Sequence, residues 1–70
     1  MRQVIVKKDR GIEKISIGLS IVEFKEGKSF ITYCPYLDIS GYGETEQEAE
    51  ESFKYCVRET INYALKKINH

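Results

Sequence analysis

Seventy residues with eleven basic and eleven acidic side chains make one small domain without net charge. The balanced charge excludes the basic footprint of a nucleic-acid-binding protein. No apolar run approaches the roughly 20 residues of a membrane span, and the first residues lack the apolar stretch of a signal peptide. We therefore expect a cytoplasmic protein that binds neither membranes nor nucleic acid. A chain this short buries only about 60% of the surface that its unfolded form exposes, so we expect association with itself or with a partner.

The first residues have the composition of a short strand. Arg2–Lys8 places Val4 and Val6 on one face and Ile5 on the other, since side chains alternate across a strand. Asp9-Arg10-Gly11 follows and predicts a polar turn that ends in glycine.

A long second strand is predicted over Glu13–Lys25, because apolar and polar residues alternate with a period of two as far as Ile21. The apolar positions then change parity at Val22 and Phe24. Such a change indicates a bulge or a strand end whose second face is also covered. Gly18, in the middle of the strand, indicates a bend or a close backbone approach.

Two further strands are predicted after a hairpin turn. Glu26-Gly27-Lys28 forms the turn, with Gly27 supplying a positive φ. Ser29–Cys34 is the third strand, and it ends at Pro35 because proline cannot donate a hydrogen bond to the ladder. Tyr36–Tyr42 is predicted as a separate fourth strand.

The only long helix is predicted to extend from Glu46 to about Ile68. Gly41 and Gly43 are expected to permit a sharp turn out of the preceding strand. Thr45 and Glu48 have the spacing of a capping box, in which the hydroxyl accepts from the N–H of Glu48 and the carboxylate accepts from the N–H of Thr45. Apolar or small residues recur along the helix at three- and four-residue steps: Ala49, Phe53, Cys56, Val57, Thr60, Ile61, Ala64 and Ile68.

These elements predict an α+β domain of order ββββα, spanning residues 1–70. An antiparallel sheet of three to four strands carries the long C-terminal helix on one face. The other face then carries more apolar surface than a stable monomer leaves exposed. We predict that this face is a protein interface formed by Ile5, Val22, Phe24, Ile31 and Tyr33.

The sequence contains no recognisable catalytic or metal-binding constellation. The only histidine is His70, and Cys34 and Cys56 are predicted as buried, reduced thiols, with a disulfide or a metal pair as the alternative. The acidic residues from Glu44 to Glu51 suit a helix N-terminus. Asp38 lacks the convergent carboxylates that a two-metal nuclease needs. We therefore predict a protein that is not an enzyme and has no cofactor or metal.

Two motifs stand in the second half of the chain. Phe30–Ile39 carries an aromatic residue followed by Pro-x-Leu, and Gly41–Ala49 carries Gly-(Asp/Glu)-Thr-x-x-Glu-Ala at the start of a helix. In these motifs the chain resembles the N-terminal domain of HicB-type antitoxins. The resemblance extends from about Val22 to Tyr63. It depends most on Pro35, Leu37, Gly43, Thr45, Glu48 and Ala49. It implies a degraded ribonuclease-H-like fold without catalytic carboxylates, which binds and masks a small HicA-like toxin ribonuclease.

Two differences from that family affect the expected function. The family usually has its last strand after the helix, whereas this sequence has an additional strand, Arg2–Lys8, before the hairpin. We expect that strand to occupy the same edge of the sheet, in its own subunit or in a neighbour. No DNA-binding segment is recognisable, so we do not expect operator binding. The sequence thus predicts a self-associating, antitoxin-like interaction domain, with a small ligand-binding domain or enzyme with an unrecognised site as the alternative.

Overall fold

The computed structural model describes residues 2–10 and 13–68. Four strands form one antiparallel sheet in the order β1-β2-β3-β4, and a single helix follows them, so the predicted ββββα architecture is confirmed. The elements are β1 (Arg2–Arg10), β2 (Glu13–Glu26), β3 (Ser29–Cys34), β4 (Ile39–Gly43) and α1 (Glu46–Ile68).

The helix lies on one face of the sheet, the helix face, and leaves the other face, the open face, uncovered. Alternate residues of each strand point to the two faces. The buried core lies between the helix face and α1 and consists of Val4, Val6, Leu19, Ile21, Cys34, Phe53 and Val57. Three partly buried residues pack against it: Ile17, Ile39 and Ile61.

β2 is the longest strand and pairs with both β1 and β3. Its residues 13–21 pair with β1, and its residues 22–26 pair with β3 on the opposite edge. The register is regular on both sides of Val22, so no bulge interrupts the strand. The apolar parity changes at Val22 because the apolar side chains move from the helix face to the open face. The staggered pairing gives an elongated fold, 43 × 19 × 19 Å in its Cα extents.

β1 pairs with β2 within its own chain and is longer than predicted. Asp9 pairs with Lys14 and Arg10 pairs with Glu13, so the first two residues of the predicted polar turn belong to the strand. Opposite charges on Asp9 and Lys14 favour this longer ladder. Gly11 lies outside the described residues.

β4 begins at Ile39, so the predicted strand Tyr36–Tyr42 was wrong in its first three residues. The four residues before Ile39 form a turn in which the Asp38 N–H donates to the Cys34 carbonyl at 2.8 Å. Asp38 has a φ of 56°, a left-handed conformation that aspartate tolerates. The Tyr33 hydroxyl donates to its carboxylate at 2.9 Å. The turn makes β3 and β4 a hairpin and not two separate pieces.

Gly41 and Gly43 are needed for close packing and not for a turn. Neither has a positive φ, whereas Gly27, between β2 and β3, has the predicted positive value of 63°. A Cβ on Gly41 would lie 2.2 Å from the backbone nitrogen of Phe53. A Cβ on Gly43 would lie 2.6 Å from the backbone nitrogen of Ala49. The two glycines therefore allow β4 to pass directly against α1.

The helix begins and ends where the sequence predicts, but its buried stripe is narrower. The fully buried helical residues are Ala49, Phe53 and Val57. Cys56 is half-buried, and Thr60 and Ala64 are exposed. The Thr60 hydroxyl donates to the Cys56 carbonyl at 2.9 Å, which satisfies it at the surface. The side chain of Ile68 lies outside the described residues.

The predicted helix cap is present with one change of partner. The Glu48 N–H donates to Thr45 Oγ1 at 3.1 Å, and the Ala49 N–H donates to the Thr45 carbonyl at 3.0 Å to start the helix. The Glu48 carboxylate accepts from the N–H of Glu44 at 2.9 Å, and not from that of Thr45 as predicted. Both side chains still satisfy backbone donors that the helix itself leaves unpaired.

Thr45→Ala should lower the free energy of unfolding by about 1 kcal/mol, because the N–H of Glu48 loses its acceptor. Urea denaturation followed by circular dichroism measures the change. Thr45→Ser keeps the hydroxyl and serves as the control, with stability close to that of the unmodified protein. Equal midpoints for the alanine and serine variants would show that the cap does not stabilise the helix.

Candidate protein-binding surface

The open face is uncharged over most of its length. The register of the four strands shows which residues point to this face. Between the Lys7–Ser16 pair at one end and the Glu26–Ser29 pair at the other, none of them is charged. The uncharged positions are Gln3, Ile5, Gly18, Ser20, Val22, Phe24, Ile31, Tyr33, Ser40 and Tyr42. An apolar, uncharged centre with charges only at its ends is the arrangement found in protein interfaces.

All five residues of the predicted interface lie on the open face, but they differ in exposure. Ile5 keeps 56% and Phe24 keeps 45% of its surface exposed, and Val22 and Tyr33 are half-buried. Ile31 is only 7% exposed, because β3 lies between β2 and β4 and the cross-strand partners of Ile31, Phe24 and Tyr42, flank it on both sides. Ile31 therefore offers almost no surface to a partner.

Tyr42 belongs to the same surface and was missed by the sequence reasoning. It is 61% exposed and pairs with Ile31 on the open face. The alternation with Ser40 is visible in the sequence, but the register with β3 is not, since it depends on the turn at Asp38. Tyr42 and Phe24 are therefore cross-strand neighbours of the same buried isoleucine, one on each side.

Two carboxylates border the aromatic end of the open face. Glu26 is the next open-face residue after Phe24 and is exposed. Asp38 is held against Tyr33 by the hydroxyl–carboxylate hydrogen bond. That hydrogen bond, with smaller contributions from burial and from the carboxylate charge, raises the pKa of Tyr33. At the opposite end of the same face, Lys7 and Lys14 outnumber Asp9, so the face is acidic at its aromatic end and basic at the other.

The described residues form neither a cluster of metal-binding side chains nor a pair of bonded thiols. Among residues 2–10 and 13–68, no three metal-binding side chains lie close enough to share an ion. Cys34 is buried, Cys56 is half-buried, and the two thiols are free. His70 lies outside the described residues.

A small hollow lies where β2 and β3 meet the start of α1. Its volume is about 120 Å³, and it is lined by Glu23, Phe24, Lys25, Phe30, Ile31, Thr32, Glu46 and Ala49. Thr32 belongs to this lining, and its fully buried hydroxyl has no hydrogen-bond partner in the described structure. Pockets for drug-sized ligands are usually roughly 300 Å³ or larger. The hollow therefore does not support a small-ligand function.

A cluster of ion pairs around Arg2 and Glu50 joins three elements of the fold. The Arg2 guanidinium contacts the carboxylates of Glu23 and Glu50, and Lys54 lies 3.4 Å from Glu50. The hydrogen bond from Arg2 is the main cause that lowers the pKa of Glu50, and it is reinforced by Lys54. These partly exposed pairs join β1, β2 and α1, each with a modest contribution to stability.

No helix in the described part of the chain is long and apolar enough to cross a membrane. No family model matches the chain, and neither a curated protein nor a solved structure resembles it significantly. The resemblance to HicB-type domains therefore depends on its motif residues alone.

Proposed function

We propose that this domain is a non-catalytic protein-interaction module of the antitoxin type, which binds a small toxin ribonuclease through its open face. The observation that carries the proposal is the exposure of Phe24, Ile5 and Tyr42 on a surface that is charged only at its ends. Large aromatic side chains at the centre of an apolar patch are the residues that contribute most to protein binding. The resemblance to HicB-type domains supplies the class of partner.

The charges around the aromatic residues suit that partner. A ribonuclease binds a polyanion and is expected to present a basic surface. Glu26 and Asp38 place negative charge beside Phe24 and Tyr33, where a basic rim on the partner would meet it. Complementary charges at the rim of an interface accelerate association and fix its orientation.

The size of the open face bounds the contact that it can make. The whole chain measures 43 by 19 Å in its Cα extents, so the face offers at most roughly 800 Å², about what one partner contributes to an interface of standard size. A contact of that area covers the RNA-binding surface of a small ribonuclease by exclusion, without any reaction. We place this interaction in the cytoplasm, where such a toxin meets its RNA.

Phe24→Lys should weaken toxin binding at least about 30-fold, equivalent to roughly 2 kcal/mol for the loss of an exposed aromatic contact. We expect a small basic toxin to be encoded beside this protein. The measurement is calorimetric titration against that gene product, together with growth rescue when the two are co-expressed. Tyr55→Lys is the matched control, since Tyr55 is 61% exposed on α1, outside the buried stripe that packs on the helix face. That variant should bind and rescue like the unmodified protein.

Two outcomes contradict the proposal. One is an adjacent gene product that does not bind the unmodified protein. The other is full rescue by a folded Phe24→Lys variant, which would remove the open face from the interaction.

A further inference from the structure

The first half of β2 has a backbone that is paired on only one side. Residues 13–21 pair with β1, and β3 occupies the opposite edge only from Val22 onward. Within the described residues, no strand pairs with the second edge of residues 13–20, and no hydrogen bond reaches it. β3 ends at Cys34, and the four residues after it form a turn that belongs to no strand.

The register identifies the unpaired backbone groups. Alternate residues of a strand direct their N–H and C=O groups to opposite edges. Glu26 and Ser29 flank a two-residue turn and form a hydrogen-bonded pair, so even-numbered residues of β2 point toward the edge of β3. In the half of β2 that β3 does not reach, those residues are all exposed: Lys14, Ser16, Gly18 and Ser20.

The outer edges of β1 and β4 are protected, as exposed edges usually are. The outer edge of β1 carries the charged residues Lys7, Lys8 and Asp9, and the Arg58 guanidinium donates to the Lys7 carbonyl at 3.2 Å. On the outer edge of β4, the Tyr42 N–H donates to the Ser52 hydroxyl at 3.3 Å, and α1 lies directly against the strand.

The open edge of β2 lacks such protection. Residues 15–20 contain neither charge nor proline. A Cβ on Gly18 would meet no atom within 4 Å, so the open face is uncovered beside the middle of this edge. Ile15 and Ile17 are only half-buried on the helix face, and an added strand would cover them further. An unprotected edge of this kind favours pairing with another strand.

We propose that two copies of the chain pair through this edge, β2 against β2, and so join their sheets into one. Identical strands related by a two-fold axis pair antiparallel, and a second copy supplies the same unpaired length. With the axis at Ile17, Ile15 lies opposite Leu19 of the second copy and Ser16 lies opposite Gly18. Lys14 then lies opposite Ser20, so no like charges meet across the pair.

The dimer places both helices on one side of the joined sheet and both open faces on the other. The proposed partner-binding surface is thereby doubled in length and remains uncovered. The edge of β2 and the open face are separate surfaces. The inference therefore does not depend on the proposed function, and each can fail without the other.

Light scattering during size exclusion at micromolar concentration tests the pairing. The unmodified protein should have twice the monomer mass, and Ser16→Pro should be a monomer, because proline removes an N–H that points to the open edge and not to β1. Lys7→Pro is the matched control, since Lys7 is the cross-strand partner of Ser16 and its N–H points to the outer edge of β1. It should remain a dimer, as should Phe24→Lys.

Hydrogen exchange on the unmodified protein gives a second measurement that does not depend on any variant folding. The amides of Ser16, Gly18 and Ser20 should exchange more slowly as the protein concentration rises, whereas the amide of Lys7 should not change. A monomeric unmodified protein, or a folded Ser16→Pro variant that remains a dimer, overturns the proposal. Loss of the dimer in Phe24→Lys would place the contact on the open face instead.

Discussion

Gly41→Ala should remove most of the stability of the protein, although it adds a single methyl group. The added Cβ would lie 2.2 Å from the backbone nitrogen of Phe53 and 2.4 Å from the carbonyl oxygen of Ala49. Both contacts are with the backbone of a helix, which cannot rotate away as the end of a side chain can. Relief requires α1 to move off β4, and that movement opens the packing around the fully buried Phe53 ring.

The expected cost of Gly41→Ala is about 3 kcal/mol, the upper part of the usual range for overpacking. A core of this size supplies only about 3–5 kcal/mol in total. Urea denaturation followed by circular dichroism measures the loss, and Gly18→Ala is the control. A Cβ at Gly18 meets nothing within 4 Å, so that variant should change stability by less than about 0.5 kcal/mol. Equal stability of the two variants would contradict the close packing of β4 on α1.

The features that the sequence predicts correctly are local ones. The start of α1 at Glu46 follows from the spacing of Thr45 and Glu48, which lie within one turn of each other. The facing of Ile5 and Phe24 follows from strand alternation, which needs no knowledge of the neighbouring strand. These patterns act over three to five residues, so a single stretch of sequence contains the whole cause.

The features that the sequence does not predict depend on groups that are distant in the chain. The first residue of β4 depends on the hydrogen bond between Tyr33 and Asp38 across the turn. The burial of Ile31 and the position of Tyr42 depend on the register that this turn sets. The role of Gly41 depends on a helix that passes twelve residues later in the chain. Alternation alone specifies the face of each residue but not which neighbours cover it.

The unpaired edge in the first half of β2 also depends on residues that are distant in the chain. A strand of 14 residues is predictable from its period of two, but the length of its pairing is not. That length depends on where β1 and β3 end, and β3 ends at Cys34 because the next four residues turn back. The candidate interface on the open face could thus be predicted by parity, whereas the open edge required the three-dimensional register.

Removal of Met1–Lys8 should abolish the folded state. β1 supplies Val4 and Val6 to the core, and these side chains are 4% and 0% exposed. Each contributes about 1.5–3 kcal/mol by burial, which together approaches the whole stability expected for a chain of this size. The deletion also leaves residues 13–21 of β2 without a paired strand on either edge within the chain.

Circular dichroism and size exclusion of the truncated protein measure the loss, and the expected result is an unfolded or aggregated chain. A matched pair of point variants separates the core contribution from the pairing. Val6→Asp places a charge in the core and should unfold the domain, whereas Ile5→Asp places the same charge on the open face, where Ile5 is 56% exposed. Because β1 pairs within its own chain, raising the protein concentration should not rescue Val6→Asp. A truncated protein that stayed folded and kept its oligomeric state would show that β1 is dispensable and that the core closes without it.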